Sequence, residues 1–405
     1  MMQHLGDITK LNGATIEPVW CVTGGSPCQD LSIAGKRAGL AGARSGLFME
    51  QIRVIKEMRE HDKQLGWAGD LIRPRYMVWE NVPGALSSNK GRDFAAVLEE
   101  TIRIVEPEAP GVEVPAKGWP TWGGYRDVDG RWSVAWRVHD AQYWGVPQRR
   151  RRIALVADFG GDTSHEILFE RTGVSGDLTP RGEAGERPAG GAESSVNPAV
   201  ARSLTATPDV SHALRAKANC AYREDAETYL VQNMVVRRLT PLECERLQGF
   251  PDGWTDIGDY TDSTGKKCKT SDSARYKALG NSIALPFWRW MFGRMAAYLP
   301  EGATLGSLFD GIGGFPLCWE DVHGAGTAIW ASEIEEFPIA VTKKRFGGEN
   351  MIHYTLNVEP LVEPPAYTCP RCPVCDAETD KLLRDRWGNI VGCPECVKEV
   401  DAWTL

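Results

Sequence analysis

Long apolar runs are missing. No stretch approaches the roughly 20 residues that cross a bilayer. Met1-Met2-Gln3-His4-Leu5-Gly6-Asp7 lacks the charged and apolar regions of a signal peptide. A cytoplasmic protein without a membrane partner is expected. An excess of positive charge is missing too: the net charge is −8, which excludes a protein that coats nucleic acid by bulk charge. Basic patches are local instead, at Lys36-Arg37, residues 149–152, Arg237-Arg238 and residues 266–269. Disulfide spacing is not expected in such a compartment, yet five of the eleven cysteines lie beyond residue 368, which suggests metal. What remains is ordinary: 42% apolar and 25% charged residues, over 405 residues, suit a soluble chain of two or three domains.

The chain is organised around Gly24-Gly25-Ser26-Pro27-Cys28-Gln29. Residues 18–23 ahead of it read as a buried strand, so the turn offers one thiol at a strand's carboxyl end, where open α/β sheets place their chemistry. Gly35, Gly39, Gly42 and Gly46 then punctuate a loop able to close over a substrate, and its Lys36, Arg37 and Arg44 suit a phosphate backbone. Residues 47–60 read as a helix with Phe48, Ile52 and Ile55 on one side. Residues 75–79 form a second strand, ending in Glu80-Asn81-Val82-Pro83-Gly84; a carboxylate there is a general acid, a cap or an ion-pair partner. Residues 91–105 repeat the helical pattern, whereas 107–136, rich in Pro, Gly and Trp, read as an irregular insertion. Gln148-Arg149-Arg150-Arg151-Arg152 enters an apolar strand at 153–157, and alternation places Arg150 and Arg152 on one face. Four arginines entering a strand require something anionic nearby.

Residues 173–195 lack periodicity, and the stretch from 159 to 236 reads as a small inserted module. Thr240-Pro241 with Glu243 predicts a helix start with a capping box, and Gly249 its stop. Residues 304–315 predict a strand, a turn through Phe309, Asp310, Gly311, Gly313 and Gly314, and a helix. The dinucleotide pattern Gly-x-Gly-x-x-Gly is absent, which counts against a nicotinamide-dependent dehydrogenase. A further strand, 328–332, ends at Glu333, where nucleotide folds hold a ribose diol. Asp7, after Gly6, is a turn aspartate or an acceptor for an amine such as that of adenine. At the end of the chain, Cys372-x2-Cys375 and Cys393-x2-Cys396, 17 residues apart, fit a four-cysteine zinc ribbon, with Cys369-x2-Cys372 as a rival register.

Six of these pieces together resemble the DNA (cytosine-5) methyltransferase family: Pro27-Cys28-Gln29, Glu80-Asn81-Val82, Gln148-x-Arg150-x-Arg152, Arg238-Leu239-Thr240 through Gly249-Phe250-Pro251, Gly280-Asn281-Ser282, and Phe309-x-Gly311-x-Gly313-Gly314. In that family the cofactor motif and the acidic residue come first; here they come last, so the order resembles that of a circular permutant. The resemblance implies a doubly wound class I S-adenosylmethionine-dependent methyltransferase fold, Rossmann-like and permuted. Its parts would be a catalytic portion at 1–159, an inserted target-recognition domain at 160–274, a second catalytic portion at 275–356 and a zinc-ribbon-like tail at 357–405.

The resemblance also implies roles. Cys28 would be the nucleophile and Glu80 the acid, with Arg150 and Arg152 on the cytosine and Glu80. Pro27, Gln29, Asn81 and Gln148 would shape the substrate pocket. Phe309, Asp310, Gly311, Gly313, Gly314, Glu333, Asp7 and Asn281 would hold S-adenosylmethionine. Double-stranded DNA is the implied partner of an expected monomer, in restriction-modification beside a cognate endonuclease or in phage DNA protection. A tRNA cytosine-5 methyltransferase, and a dead methylase fold serving as a zinc-containing DNA-binding protein, are the alternatives.

Overall fold

Apolar runs that read as strands form strands, and the capped and amphipathic segments form helices. The computed structural model describes residues 1–26, 46–169, 211, 214, 229–232, 235–347, 383–384 and 390–392. β1 is Gln3–His4, β2 Cys21–Gly24, α1 Gly46–Gln64 and β3 Tyr76–Asn81. Then come α2 (Arg92–Ile102), β4 (Trp122–Arg126), β5 (Ser133–Asp140), β6 (Arg151–Asp158) and α3 (Ser164–Leu168). The antiparallel strands β7 (Tyr229–Gln232) and β8 (Val235–Arg238) precede α4 (Pro241–Gln248). A small hairpin, β9 (Tyr260–Thr261) and β10 (Lys267–Cys268), leads to α5 (Asp272–Asn281) and α6 (Leu285–Met295). β11 (Leu305–Leu308), α7 (Gly314–His323), β12 (Ala328–Ser332) and α8 (Glu336–Phe346) follow. Short strands β13 (Leu383–Arg384) and β14 (Ile390–Gly392) pair in the tail.

The chain divides into two compact units. One comprises Met1–Ile8, Asp140–Arg151 and Thr179–Leu361. Its strands run β1-β12-β11, all parallel, with His4 opposite Ala331 and Leu308 opposite Ser332. Residues from both ends of the numbering therefore share one sheet, and the Met2 N–H donates to the Phe346 carbonyl at 3.3 Å. Helices α6 and α7 pack through aromatic edges, Trp288 on Phe315 at 5.0 Å and Phe292 on Trp319 at 5.2 Å. All four rings are buried, so this contact supplies much of the unit's apolar core.

The other unit comprises Thr9–His139, Arg152–Leu178 and Val362–Leu405. Its strands run β2-β3-β6-β5-β4; β2 and β3 are parallel, while β3–β6 and β4–β5 are antiparallel. The architecture is thus mixed α/β. Trp79 of β3 lies fully buried between Phe48 of α1 and Phe94 of α2, at 5.9 and 6.3 Å. Below it, buried Asp158 receives both Arg75 Nε (3.0 Å) and Arg75 Nη2 (3.1 Å), a two-point pairing that offsets the cost of taking the carboxylate out of water.

One expectation is corrected. Residues 107–136 are not irregular throughout: Trp122–Arg126 pairs with Ser133–Asp140 as an antiparallel hairpin. The glycines that suggested a loop have a packing cause, because a Cβ at Gly123 would meet the Trp136 ring at 2.5 Å.

The helix start at Thr240 forms as its sequence dictates. Thr240 Oγ1 accepts from the Glu243 N–H, Glu243 accepts from the Thr240 N–H at 2.7 Å, and Gly249 ends the helix at φ 78°. Replacing Thr240 by Ala should cost about 1 kcal/mol of unfolding free energy, read from the urea midpoint, with Thr240→Ser close to neutral.

Candidate active site

The first group of site residues is built on β3. Its last three residues are Trp79, Glu80 and Asn81, and the strand's alternation turns Glu80 away from its neighbours. Trp79 Nε1 donates to Ser26 Oγ at 3.1 Å, and Asn81 Nδ2 donates to the Ser26 carbonyl at 3.1 Å. Asn81 Oδ1 accepts from the Val82 N–H, which fixes the amide's orientation. Ser26 is buried, so the chain is pinned at two atoms of this residue immediately before Pro27-Cys28-Gln29. Those three residues lie outside the described part of the structure. Glu80 meets Arg152 Nε at 2.7 Å, both side chains being mostly shielded from water. Gly25 gives Glu80 room: a Cβ would stand 3.2 Å from Glu80 Oε2, a tight contact. The carboxylate thus lies directly against the backbone that leads to Cys28.

Arg150 is held by groups of its own unit. Its backbone N–H donates to Asp140 Oδ1 at 3.0 Å and its carbonyl accepts from Ala141 N. The buried guanidinium donates to the carbonyls of Leu214 (3.3 Å), Gly280 (3.3 Å) and Ser282. Gln148 Nε2 donates to the Leu247 carbonyl at 3.4 Å. Arg149 and Arg151 are exposed. Asn281, the last residue of α5, is exposed as well.

The second group lies in the unit that holds β1, β12 and β11. Three acidic residues follow the carboxyl ends of these parallel strands: Asp7 after β1, Glu333 after β12 and Asp310 after β11. Glu333 organises the glycine turn. Its Oε2 accepts from the Gly311 N–H at 2.8 Å, and its Oε1 accepts from the N–H groups of Ile334 (2.7 Å) and Glu335 (2.9 Å). Phe309, at φ 55°, and Gly311, at φ 57°, both take left-handed backbone, a strain tolerable where function needs the turn. Among the described residues, chain neighbours aside, no atom lies within 4 Å of where a Gly311 Cβ would stand, leaving room there for a ligand to approach the backbone. Gly313 and Gly314 are needed for packing: a Cβ would meet Phe346 at 2.6 Å or Ile283 at 2.8 Å.

Asp310 is buried, with Oδ1 accepting from Ser307 Oγ at 2.6 Å and Oδ2 lacking a partner among the described residues. Burial, opposed by the Ser307 hydrogen bond and aided by the nearby Glu333 carboxylate, pushes its acid up to about 8.

Sequence reasoning missed Trp79 and Ser26 as partners; the signal was the Trp immediately before Glu80-Asn81. Burial disfavours the thiolate at three described cysteines. Burial raises Cys21, and raises Cys244 and Cys318 to about 12. Among the described residues no cluster of His, Cys, Asp and Glu could hold a metal, and Cys372, Cys375, Cys393 and Cys396 lie outside them. No helix among the described residues is long and apolar enough to cross a membrane.

Carboxylates at the ends of adjacent parallel strands, around a backbone turn with open space above it, define an α/β protein of the nucleotide-cofactor-binding class. Comparison with known proteins narrows the class. The model of the C-5 cytosine-specific DNA methylase family matches residues 2–104 and 183–296, more than half of the chain. The chain belongs to the C-5 cytosine-specific DNA methylase family.

The chain is 28% identical to the DNA N-6-adenine-methyltransferase of Escherichia phage P1, over 72% of this chain and 55% of that protein. It is 27% identical to the Type II methyltransferase M2.BsuMI of Bacillus subtilis, over 67% of this chain and 58% of that one. It therefore spans little more than half the length of these relatives. The solved S. pombe Dnmt2 methyltransferase is 17% identical, with a TM-score of 0.45 over 72% of this chain and 83% of that one.

Asp310 gives a pH signature. With its acid raised from 3.8 to about 8, the folded state holds a proton that the unfolded chain releases, so the residue lowers stability progressively as pH rises through that window. Asp310→Asn should therefore stabilise the protein more at about pH 8 than at about pH 5, in urea titrations of the cofactor-free protein. An equal effect at both pH values would contradict the raised acid.

Proposed function

We propose that the protein methylates carbon 5 of cytosine in double-stranded DNA, with S-adenosylmethionine as methyl donor. The observation that carries this reading is the Glu80–Arg152 pair at 2.7 Å, set against the Gly25 backbone just ahead of Pro27-Cys28-Gln29. Carbon 5 of cytosine is a poor nucleophile, so the ring has to be activated covalently. Cys28, as thiolate, adds to carbon 6 while Glu80 delivers a proton or hydrogen bond to nitrogen 3, drawing electron density toward carbon 5. Arg152 orients Glu80 and holds the cytosine O2. After methyl transfer, loss of the carbon-5 proton and expulsion of the Cys28 thiolate restore the aromatic ring. The target base has to leave the helix stack first, at a cost of a few kcal/mol.

The donor fits the residues present. Glu333 suits the ribose diol, Asp7 the adenine amine, and the open face at Gly311 a close backbone approach. S-adenosylmethionine supplies an electrophilic methyl group on a sulfonium. Phe309, Asp310, Gly313 and Gly314 shape the turn, and Asn281 is proposed to close the donor side. The permuted motif order is supported by β1 lying beside β12, so that Asp7 follows Glu333 in space as it would in the rotated chain. Residues 160–274 are proposed to read the target sequence and the cysteine-rich tail to hold zinc; the biological role would be restriction-modification or phage DNA protection.

A second reading, methylation of adenine N6, comes from the name of the phage P1 relative. That reaction needs no thiol, because the amine itself attacks, so Cys28 discriminates the two. With methyl-labelled donor and mixed-sequence duplex DNA, the label should appear in 5-methylcytosine and vanish in Cys28→Ala. Glu80→Gln and Arg152→Met should lower kcat by about 10²–10⁴-fold without weakening donor binding. Label in N6-methyladenine that survives Cys28→Ala would replace the cytosine reading, and label confined to tRNA would move the substrate to RNA.

A further inference from the structure

Arg150 carries no obvious chemistry, yet it is among the largest fully buried side chains of the protein. Its surroundings say what it does. Nη1 donates to the Leu214 carbonyl, while Nη2 donates to the carbonyls of Gly280 and Ser282, which flank Asn281. The last two lie at the carboxyl end of α5, where carbonyls without helical partners and the negative end of the helix dipole favour a cation. The backbone on either side of Arg150 is engaged as well. Ser211 forms an isolated parallel bridge with Gln148. Its N–H donates to the Pro147 carbonyl at 2.7 Å, and its carbonyl accepts from Arg149 N at 2.9 Å. Ser211 and Leu214 belong to the inserted stretch, and both meet the chain within residues 147–150.

We infer that Arg150 is a positioning residue that joins Ser211 and Leu214 of the inserted stretch to the Gly280-Asn281-Ser282 turn, so that the engagement of one sets the order of the other. A guanidinium suits this because its planar fork aims separate donors at carbonyls on two sides, which a single ammonium cannot do. In functional terms, and resting on the methyltransferase reading above, the junction links the part that reads the DNA site to the edge of the donor site at Asn281. Site preference, more than donor affinity, is then the property that Arg150 controls.

Hydrogen exchange on the full chain tests the junction directly. In Arg150→Lys, amides around 211–214 and at 279–283 should both exchange about tenfold faster, the equivalent of about 1.4 kcal/mol in local opening, while those of β12 and α7 stay unchanged. Faster exchange at only one of the two segments, or uniformly through the unit, would overturn the inference. The second readout is kcat/KM on the preferred site against sites differing by one base pair. The preference should fall about tenfold in Arg150→Lys, mainly through KM for DNA. Ser211→Pro, which removes the donor to Pro147 and leaves the guanidinium intact, should reproduce that loss. An unchanged preference in both variants would overturn the link to site reading. Coupled exchange in a protein whose wild type methylates no nucleic acid would instead uphold the junction and discard the methyltransferase reading.

Discussion

A carboxylate at the end of a buried strand must be answered by something positive or by hydrogen-bond donors, because leaving it bare in a weakly polar setting is costly. This protein answers three such groups in three ways. Glu80 has an arginine and lies close to the chain that leads to the proposed nucleophile. Glu333 has three backbone N–H groups, which convert its charge into the shape of the glycine turn. Asp310 has only a hydroxyl, and the outcome is a raised acid rather than a bound partner. The same residue class at strand ends thus yields an ion-paired carboxylate, a scaffold and a raised acid, according to what each strand end places opposite it.

Much of this was legible in the sequence, and its limits are local. The strand before Glu80, the capping box at Thr240 and the strand–turn–helix at 305–323 follow directly from apolar runs and punctuation residues. The alternation expected at residues 149–152 is visible in burial: Arg149 and Arg151 are exposed, while Arg150 and Arg152 are shielded. β6 begins at Arg151, so Arg150 lies in the preceding turn, with its backbone held by Asp140 and Ala141, which the apolar pattern does not reveal. The hairpin at 122–140 was hidden because glycines there make room for the Trp136 ring, and composition cannot tell a glycine that bends a chain from one that admits a neighbour.

The backbone-capping role of Glu333 was invisible for a related cause. An acidic residue after a strand is compatible with ribose binding, and nothing in the local pattern reveals that its oxygens already serve N–H groups 22 residues away in sequence at Gly311. The two uses are compatible, since a carboxylate offers about four lone-pair positions. A turn held in this way needs little further ordering when a ligand arrives, which favours binding by lowering its entropic cost.

The three-residue end of β3 has a mechanical consequence. Trp79 and Asn81 grip Ser26 from one side of the strand, while Glu80, between them, points to the other and meets Arg152. The strand therefore acts as a gauge block: one rigid pitch of extended backbone fixes the offset between Glu80 and the chain at Ser26 that leads to the proposed nucleophile. An insertion or deletion of one residue in β3 would exchange the two faces, presenting Glu80 where Trp79 belongs. Drift in length is closed to this strand, and tuning of the offset is confined to side-chain substitutions at the same three positions.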